Sequence, residues 1–144
     1  MGKILLPEGY KPSEQEEYMN PMQVEYFRQK LLNWKDDLLE ESRETLDHLK
    51  EENWNEPDLT DRANVETETS LELRTRDRYR KLIDKIEHTI SRIDNGDYGY
   101  CEETGDKIGI KRLEARPVAT LCIDAQMRHE NYEKTHIDED KANF

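Results

Sequence analysis

The 144-residue chain is 33% apolar and 39% charged, with a formal net charge of −12. That leaves too little apolar material for one large core and suits long, solvent-exposed helices. The acidic balance excludes direct, sequence-specific DNA binding, since a DNA-binding face must be cationic to displace counterions, and two cysteines in 144 residues make no disulfide framework.

In chain order, residues 1–19 hold Pro7, Gly9 and Pro12 and no sustained period, and are expected to form an extended arm. Ile4-Leu5-Leu6 is too short an apolar run for a signal peptide or membrane span, so a cytoplasmic protein without a membrane partner is expected. Asn20-Pro21 is a strong helix start: a side-chain cap, then a residue whose missing N–H costs nothing in the first turn. Val24, Phe27, Leu31, Trp34 and Leu38 then recur at steps of three and four. The line continues more weakly through Ser42, Thr45 and Leu49, with Leu32, Leu39 and Leu46 flanking it. At 1.5 Å per residue this first arm would span about 48 Å.

Pro57 ends it, and Asp58 or Thr60 can cap the next helix. The return arm is weakly apolar at first (Val65, Thr69, Leu73) and strongly so later (Tyr79, Leu82, Ile83, Ile86, Ile90, Ile93), until Asn95-Gly96 stops it. Both arms are greasiest at the same end, which points to antiparallel pairing. Residues 20–95 therefore read as a coiled-coil hairpin with its tip at 53–63. Residues 96–135 change character. Two short strands, Tyr98-Gly99-Tyr100-Cys101 and Lys107-Ile108-Gly109-Ile110, flank a turn, and a final helix from Cys122 packs through Ile123 and Met127. Residues 136–144 read as a frayed tail. The fold class is mainly α: a long antiparallel coiled-coil hairpin joined to a small globular domain with a short β-hairpin and a C-terminal helix.

Charge is split along the hairpin. Residues 36–72 hold 14 acidic and 3 basic residues, whereas residues 74–92 hold 7 basic and 3 acidic. Such a split fits two contact surfaces, although solvated helix faces also give charge runs. Asp58 and Asp61 put two carboxylates within reach of one target, or simply cap a helix.

The runs Glu17-Tyr18-Met19-Asn20, Asp58-Leu59-Thr60-Asp61-Arg62-Ala63, Ser70-Leu71-Glu72-Leu73-Arg74, Gly99-Tyr100-Cys101 and Gly109-Ile110-Lys111-Arg112-Leu113-Glu114-Ala115-Arg116-Pro117 closely resemble the bacterial DksA family, in its order and spacing. The resemblance implies that the small globular domain is zinc-finger-like, and that the protein is a regulator that binds RNA polymerase in its secondary channel and acts with the alarmone ppGpp in the stringent response. Asp58, Asp61 and Ala63 would then face the polymerase active site, and Arg74 and Arg78 would grip the channel rim. Leu82, Lys85, Arg116 and Asp124 would contribute to a ppGpp site shared with polymerase. Gln126 stands where the family usually has a lysine, which weakens the expected pull on a polyphosphate.

A zinc version of the knuckle needs Cys-x2-Cys twice. Here the spacing survives as Cys101-Glu102-Glu103-Thr104 and Cys122-Ile123-Asp124-Ala125, with half the thiolates. If zinc were bound, Cys101 and Cys122 would hold it, helped by Glu103, Asp106, Asp124 or His129; the expectation is no bound zinc and no tightly bound cofactor. A knuckle packed by Tyr98, Tyr100, Ile108, Ile110, Leu113, Leu121 and Ile123 is expected instead. The expected function is non-enzymatic regulation by a monomer whose partners are RNA polymerase and ppGpp. The alternatives are a coiled-coil adaptor and a Mg²⁺-dependent transcript cleavage factor; no nucleophile, His base or phosphate loop accompanies the two aspartates to support the second.

Overall fold

Four helices order the chain: α1 (Pro21–Asn55), α2 (Arg62–Asn95), α3 (Ile110–Ala115) and α4 (Ile123–Ala142). The computed structural model describes residues 4–55 and 62–142; the expected caps Asp58 and Thr60 lie outside them. Two compact units result, Gln29–Ile90 and the pairing of Met1–Arg28 with Ser91–Phe144.

In the unit Gln29–Ile90, α1 and α2 run antiparallel. Lys35 Nζ meets Glu87 Oε1 at 3.0 Å, and further along α1 the hydroxyl of Tyr79 donates to Glu41 Oε1 at 3.1 Å and lies 3.4 Å from Thr45 Oγ1. As the position advances on one helix it retreats on the other. Leu31 and Leu38 are buried on α1, and Thr75, Tyr79, Ile86 and Thr89 on α2. With half-buried Leu82, the α2 residues step by four and three, the spacing of a coiled-coil seam.

That seam corrects the expected apolar line in two places. Continued backwards from Thr75 and Tyr79, the heptad meets Glu72 and Glu68, which are half-buried, while Leu73 is 62% exposed and Thr69 is also exposed. The dense apolar end fixes the register, and the sparse end inherits it whatever residues it carries. On α1, Leu32 and Leu39 likewise face solvent rather than flanking the core. The buried hydroxyl of Thr89 is satisfied by donating to the carbonyl of Lys85 at 2.8 Å.

The other unit gathers the N-terminal segment, the start of α1, the end of α2, and α3 and α4. Asn20 caps α1 by accepting the N–H of Gln23 at 3.0 Å. The fully buried Gln23 side chain reaches back, accepting the N–H of Met19 at 2.8 Å and donating to the carbonyl of Ser13 at 3.1 Å. This variant of the capping box ties the N-terminal segment to the helix start. Tyr10 and Tyr26, Tyr26 and Phe27, and Phe27 and Tyr98 make successive ring contacts at centroid distances of 6.2, 5.2 and 5.7 Å. From Tyr10 to Asn20 the segment is thus packed through turns.

Gly96, at φ +83°, ends α2 in the left-handed region, and the N–H of Asp97 returns to the carbonyl of Arg92 at 2.9 Å. The expected β-hairpin is reduced to one antiparallel bridge, Tyr100 with Lys107. Gly99 and Gly109 bracket it with φ of +93° and +101°, outside any strand conformation, and Ile110 already begins α3. Ile108, Ile110, Leu113, Val118 and Ala119 fill the core. On α4 the packing face is Cys122 and Ala125; Ile123 and Met127 are 60% and 55% exposed, contrary to expectation. Helix α4 also runs through residues 136–142, where no breaker interrupts it, and His136 Nδ1 lies 3.1 Å from the carbonyl of Tyr132.

Candidate functional site

Of the tip trio, Asp58 and Asp61 lie outside the described residues, and Ala63 falls in the first turn of α2. The basic run is seen in full. Its register leaves Arg74, Arg76, Arg78, Arg80, Lys81 and Lys85 exposed, because the buried seam positions alternate around them. Arg76 pairs with Glu72 at 2.9 Å, and Asp77 takes both Arg80 at 2.6 Å and Lys81 at 2.9 Å. The hydrogen bond from Lys81, aided by the charges of Lys81 and Arg80, holds the Asp77 carboxyl below the usual carboxylate range. Arg78 lies 5.3 Å from the Tyr79 ring centroid, a cation–π placement.

A shallow cleft of about 410 Å³ on α2 is lined by Ser70, Leu73, Arg74, Asp77, Arg78 and Lys81. Arg74 and Arg78, singled out from the sequence, therefore share one surface with the exposed Leu73. A leucine beside the guanidinium groups of Arg74 and Arg78 can contact a protein surface that is both apolar and acidic. Leu82 and Lys85 lie on α2 in the unit Gln29–Ile90, half-buried and exposed respectively. Arg116, the C-cap of α3, and Asp124, in the first turn of α4, are exposed in the other unit.

The knuckle is built around Cys101, Cys122 and Ala125, with Leu121 packed against them. Burial opposes ionisation of Cys101. The hydroxyl of Thr104 and the amide N–H groups of Cys122, Thr104 and Glu103 outweigh it and bring the thiol down to about 6. Thr104 Oγ1 also lies 3.7 Å from Cys122 Sγ and accepts the N–H of Asp106 at 3.2 Å. His129 and Glu103, two of the suggested substitute ligands, pair with each other. Among the described residues, no group of three or more His, Cys, Asp or Glu could hold a metal ion.

Several residues that organise the site carry no role that the sequence alone assigns. Arg92 forks to Glu102 at 2.9 Å and to the carbonyls of Asp97 and Tyr100 at 3.0 and 2.8 Å, fastening the end of α2 to the knuckle. A basic residue in the last helical turn is the available signal. Tyr98 donates to the carbonyl of Pro117 at 2.9 Å, and burial is the main reason its phenol is pushed up. Tyr26 is pushed up to about 12 by burial and by its hydrogen bond to Glu114.

A two-helix antiparallel coil and a cysteine-bearing knuckle define the class: helical-hairpin proteins with a zinc-finger-like unit. Residues 23–93 match the family model for the DnaK suppressor protein DksA, N-terminal domain, and residues 96–131 that of the prokaryotic dksA/traR C4-type zinc finger. The chain is 58% identical over 130 residues to the RNA polymerase-binding transcription factor DksA of Caulobacter vibrioides, covering 90% of this chain and 92% of that one. It is 50% identical over 127 residues to the Escherichia coli K12 protein of the same description, covering 88% and 84%. The solved structure of transcription factor DksA2 from Pseudomonas aeruginosa superposes with a TM-score of 0.73 at 38% identity, covering 83% of this chain and 94% of that one. The chain belongs to the DksA family.

The family's C4-type finger sets a direct test of the donors present. Of the four positions, Cys101 and Cys122 keep sulfur, Thr104 offers a hydroxyl already engaged with Cys122 Sγ and the N–H of Asp106, and Ala125 offers a fully buried methyl. A tetrahedral structural zinc site needs four nitrogen, sulfur or carboxylate ligands. The donor set does not fit one.

Proposed function

We propose that the protein is a non-enzymatic transcription regulator that binds RNA polymerase through its secondary channel. In this reading the acidic turn carrying Asp58 and Asp61 approaches the polymerase active site, and Arg74 and Arg78 grip the channel rim. The observation that carries it is the 58% identity, across 90% of the chain, to a protein described as RNA polymerase-binding. The α2 cleft adds physical support: Leu73 supplies apolar contact while Arg74 and Arg78 supply charge.

The effect on polymerase is electrostatic. Two carboxylates near Mg²⁺-bound, mobile catalytic elements alter how those elements hold DNA and nucleotide, and so the lifetime of initiation complexes. ppGpp acts as co-effector, with Leu82, Lys85, Arg116 and Asp124 contributing to its site; Gln126 removes one cation from it. The protein works as a monomer in the cytoplasm; among the described residues no helix is long and apolar enough to cross a membrane.

Asp61→Asn tests the reading against its rivals. A regulator keeps its affinity for polymerase while promoter-complex lifetime returns to that of polymerase alone. A coiled-coil adaptor would show no change in either measurement, and a cleavage factor would lose transcript hydrolysis instead.

A further inference from the structure

The knuckle lacks the ligands of a C4 zinc site, yet its loop is closed by a side chain from the other end of the chain. The phenol of Tyr18 donates to the carbonyl of Gly99 at 2.6 Å and accepts the N–H of Gly109 at 3.0 Å. One oxygen therefore joins both sides of the turn that carries Cys101 and Thr104. Gly99 also accepts the N–H of Ile108 at 2.9 Å, so the phenol extends the hydrogen bonding of the single Tyr100–Lys107 bridge. The Tyr18 ring meets Tyr100 edge-on at 5.6 Å, and Lys107 Nζ lies 5.3 Å from its centroid. Both residues of the bridge thus rest on the same ring.

The ring is held in place before it meets the loop. Gln23 fixes Met19 and Ser13 to the start of α1, and Glu16 accepts both the N–H of Ser13 at 3.0 Å and the hydroxyl of Tyr10 at 3.0 Å. Met19 adopts φ +53°, a left-handed turn that is costly for a residue with a side chain and persists only where its surroundings enforce it. Its side chain occupies the space beside Gly99: a methyl added there would come within 2.7 Å of Met19 Cγ and Sδ. Glycine suits position 99 through its φ of +93°, and a side chain there would also have to displace that of Met19.

We infer that residues 7–20 form a clasp that fixes the knuckle loop without metal, with the Tyr18 hydroxyl as its fastening and the Gln23 amide as its anchor. A metal ties separated parts of a chain through bonds to several ligands. The clasp ties the same loop through one phenol placed by a capped helix. Burial raises the Tyr18 pKa, so the phenol stays protonated and keeps its donor across the physiological range.

The test is amide hydrogen exchange in the full-length protein. Tyr18→Phe keeps the ring and both aromatic contacts and removes only the oxygen. Exchange at Ile108 and Gly109 is expected to accelerate about tenfold or more. Amides in the buried seam around Leu31 and Ile86, which report that the variant is folded, should be unchanged. Wild-type exchange across residues 99–110 should be the same with EDTA, with added zinc, or with neither. Exchange at Gly109 within twofold of wild type in Tyr18→Phe would overturn the inference. So would zinc-dependent protection, or EDTA-dependent loss of protection, of that loop in the wild-type protein.

Discussion

Between Gln29 and Ile90 the chain is held by repetition, and in the unit formed by Met1–Arg28 and Ser91–Phe144 it is held by particulars. The first region buries Leu31, Leu38, Tyr79 and Ile86 along one seam, each doing much the same as its neighbours. The second is joined by single polar groups with several partners each: the Gln23 amide with two, the Tyr18 hydroxyl with two, and the Arg92 guanidinium with three. A repeating seam tolerates a weak position because the register is set collectively. A stitched knuckle depends on each stitch.

The largest expected effect breaks the seam at its strongest point. Ile86 is fully buried, so Ile86→Ala should cost about 2–5 kcal/mol in denaturant unfolding, from lost transfer energy and the cavity left behind. Leu73→Ala, one of the more apolar residues of the same helix but 62% exposed, should stay within about 0.5 kcal/mol. In the proposed function it should instead weaken binding to polymerase, measured by titration. Equal losses of stability from both substitutions would contradict this register.

How far the sequence discloses this protein runs along the same division. The two helices, their antiparallel pairing and the Gly96 stop are legible because period, cap and breaker are local signals. Leu73 misleads because its apolar side chain, taken locally, ignores the register imposed from the other end of α2. The Tyr18 and Arg92 stitches are not legible. Tyr18 acts on Gly99 and Gly109, far along the chain, and nothing in the spacing of residues announces such a contact. Ile123 and Met127 look like core and are exposed, whereas the small side chain of Ala125 is what meets the two cysteines. The missing thiolates at 104 and 125 are plain in the sequence; how their neighbours satisfy the remaining sulfurs is not.

An intermediate effect is expected at Gln23. Gln23→Ala leaves the N–H of Met19 and the carbonyl of Ser13 without their buried partner, which should cost about 2 kcal/mol. Limited proteolysis sharpens the comparison. Cleavage within residues 7–19 should accelerate in the variant, while the seam keeps its wild-type protection.

The smallest effect separates the knuckle from the seam by pH. The Cys101 thiol is lowered from its ordinary value of 9.0 to about 6, so folding favours the thiolate. Below pH 6 both the folded and unfolded thiols are protonated, and the contribution is absent. It grows as pH rises from 6 to 9 and is complete above 9, where the unfolded thiol also ionises. The gain should be on the order of 1 kcal/mol. Urea unfolding of wild type and Cys101→Ser at pH 6 and pH 9 reads this difference. The wild type should gain over the variant at the higher pH, whereas a constant gap would mean that the amide groups around Cys101 do not stabilise its anion.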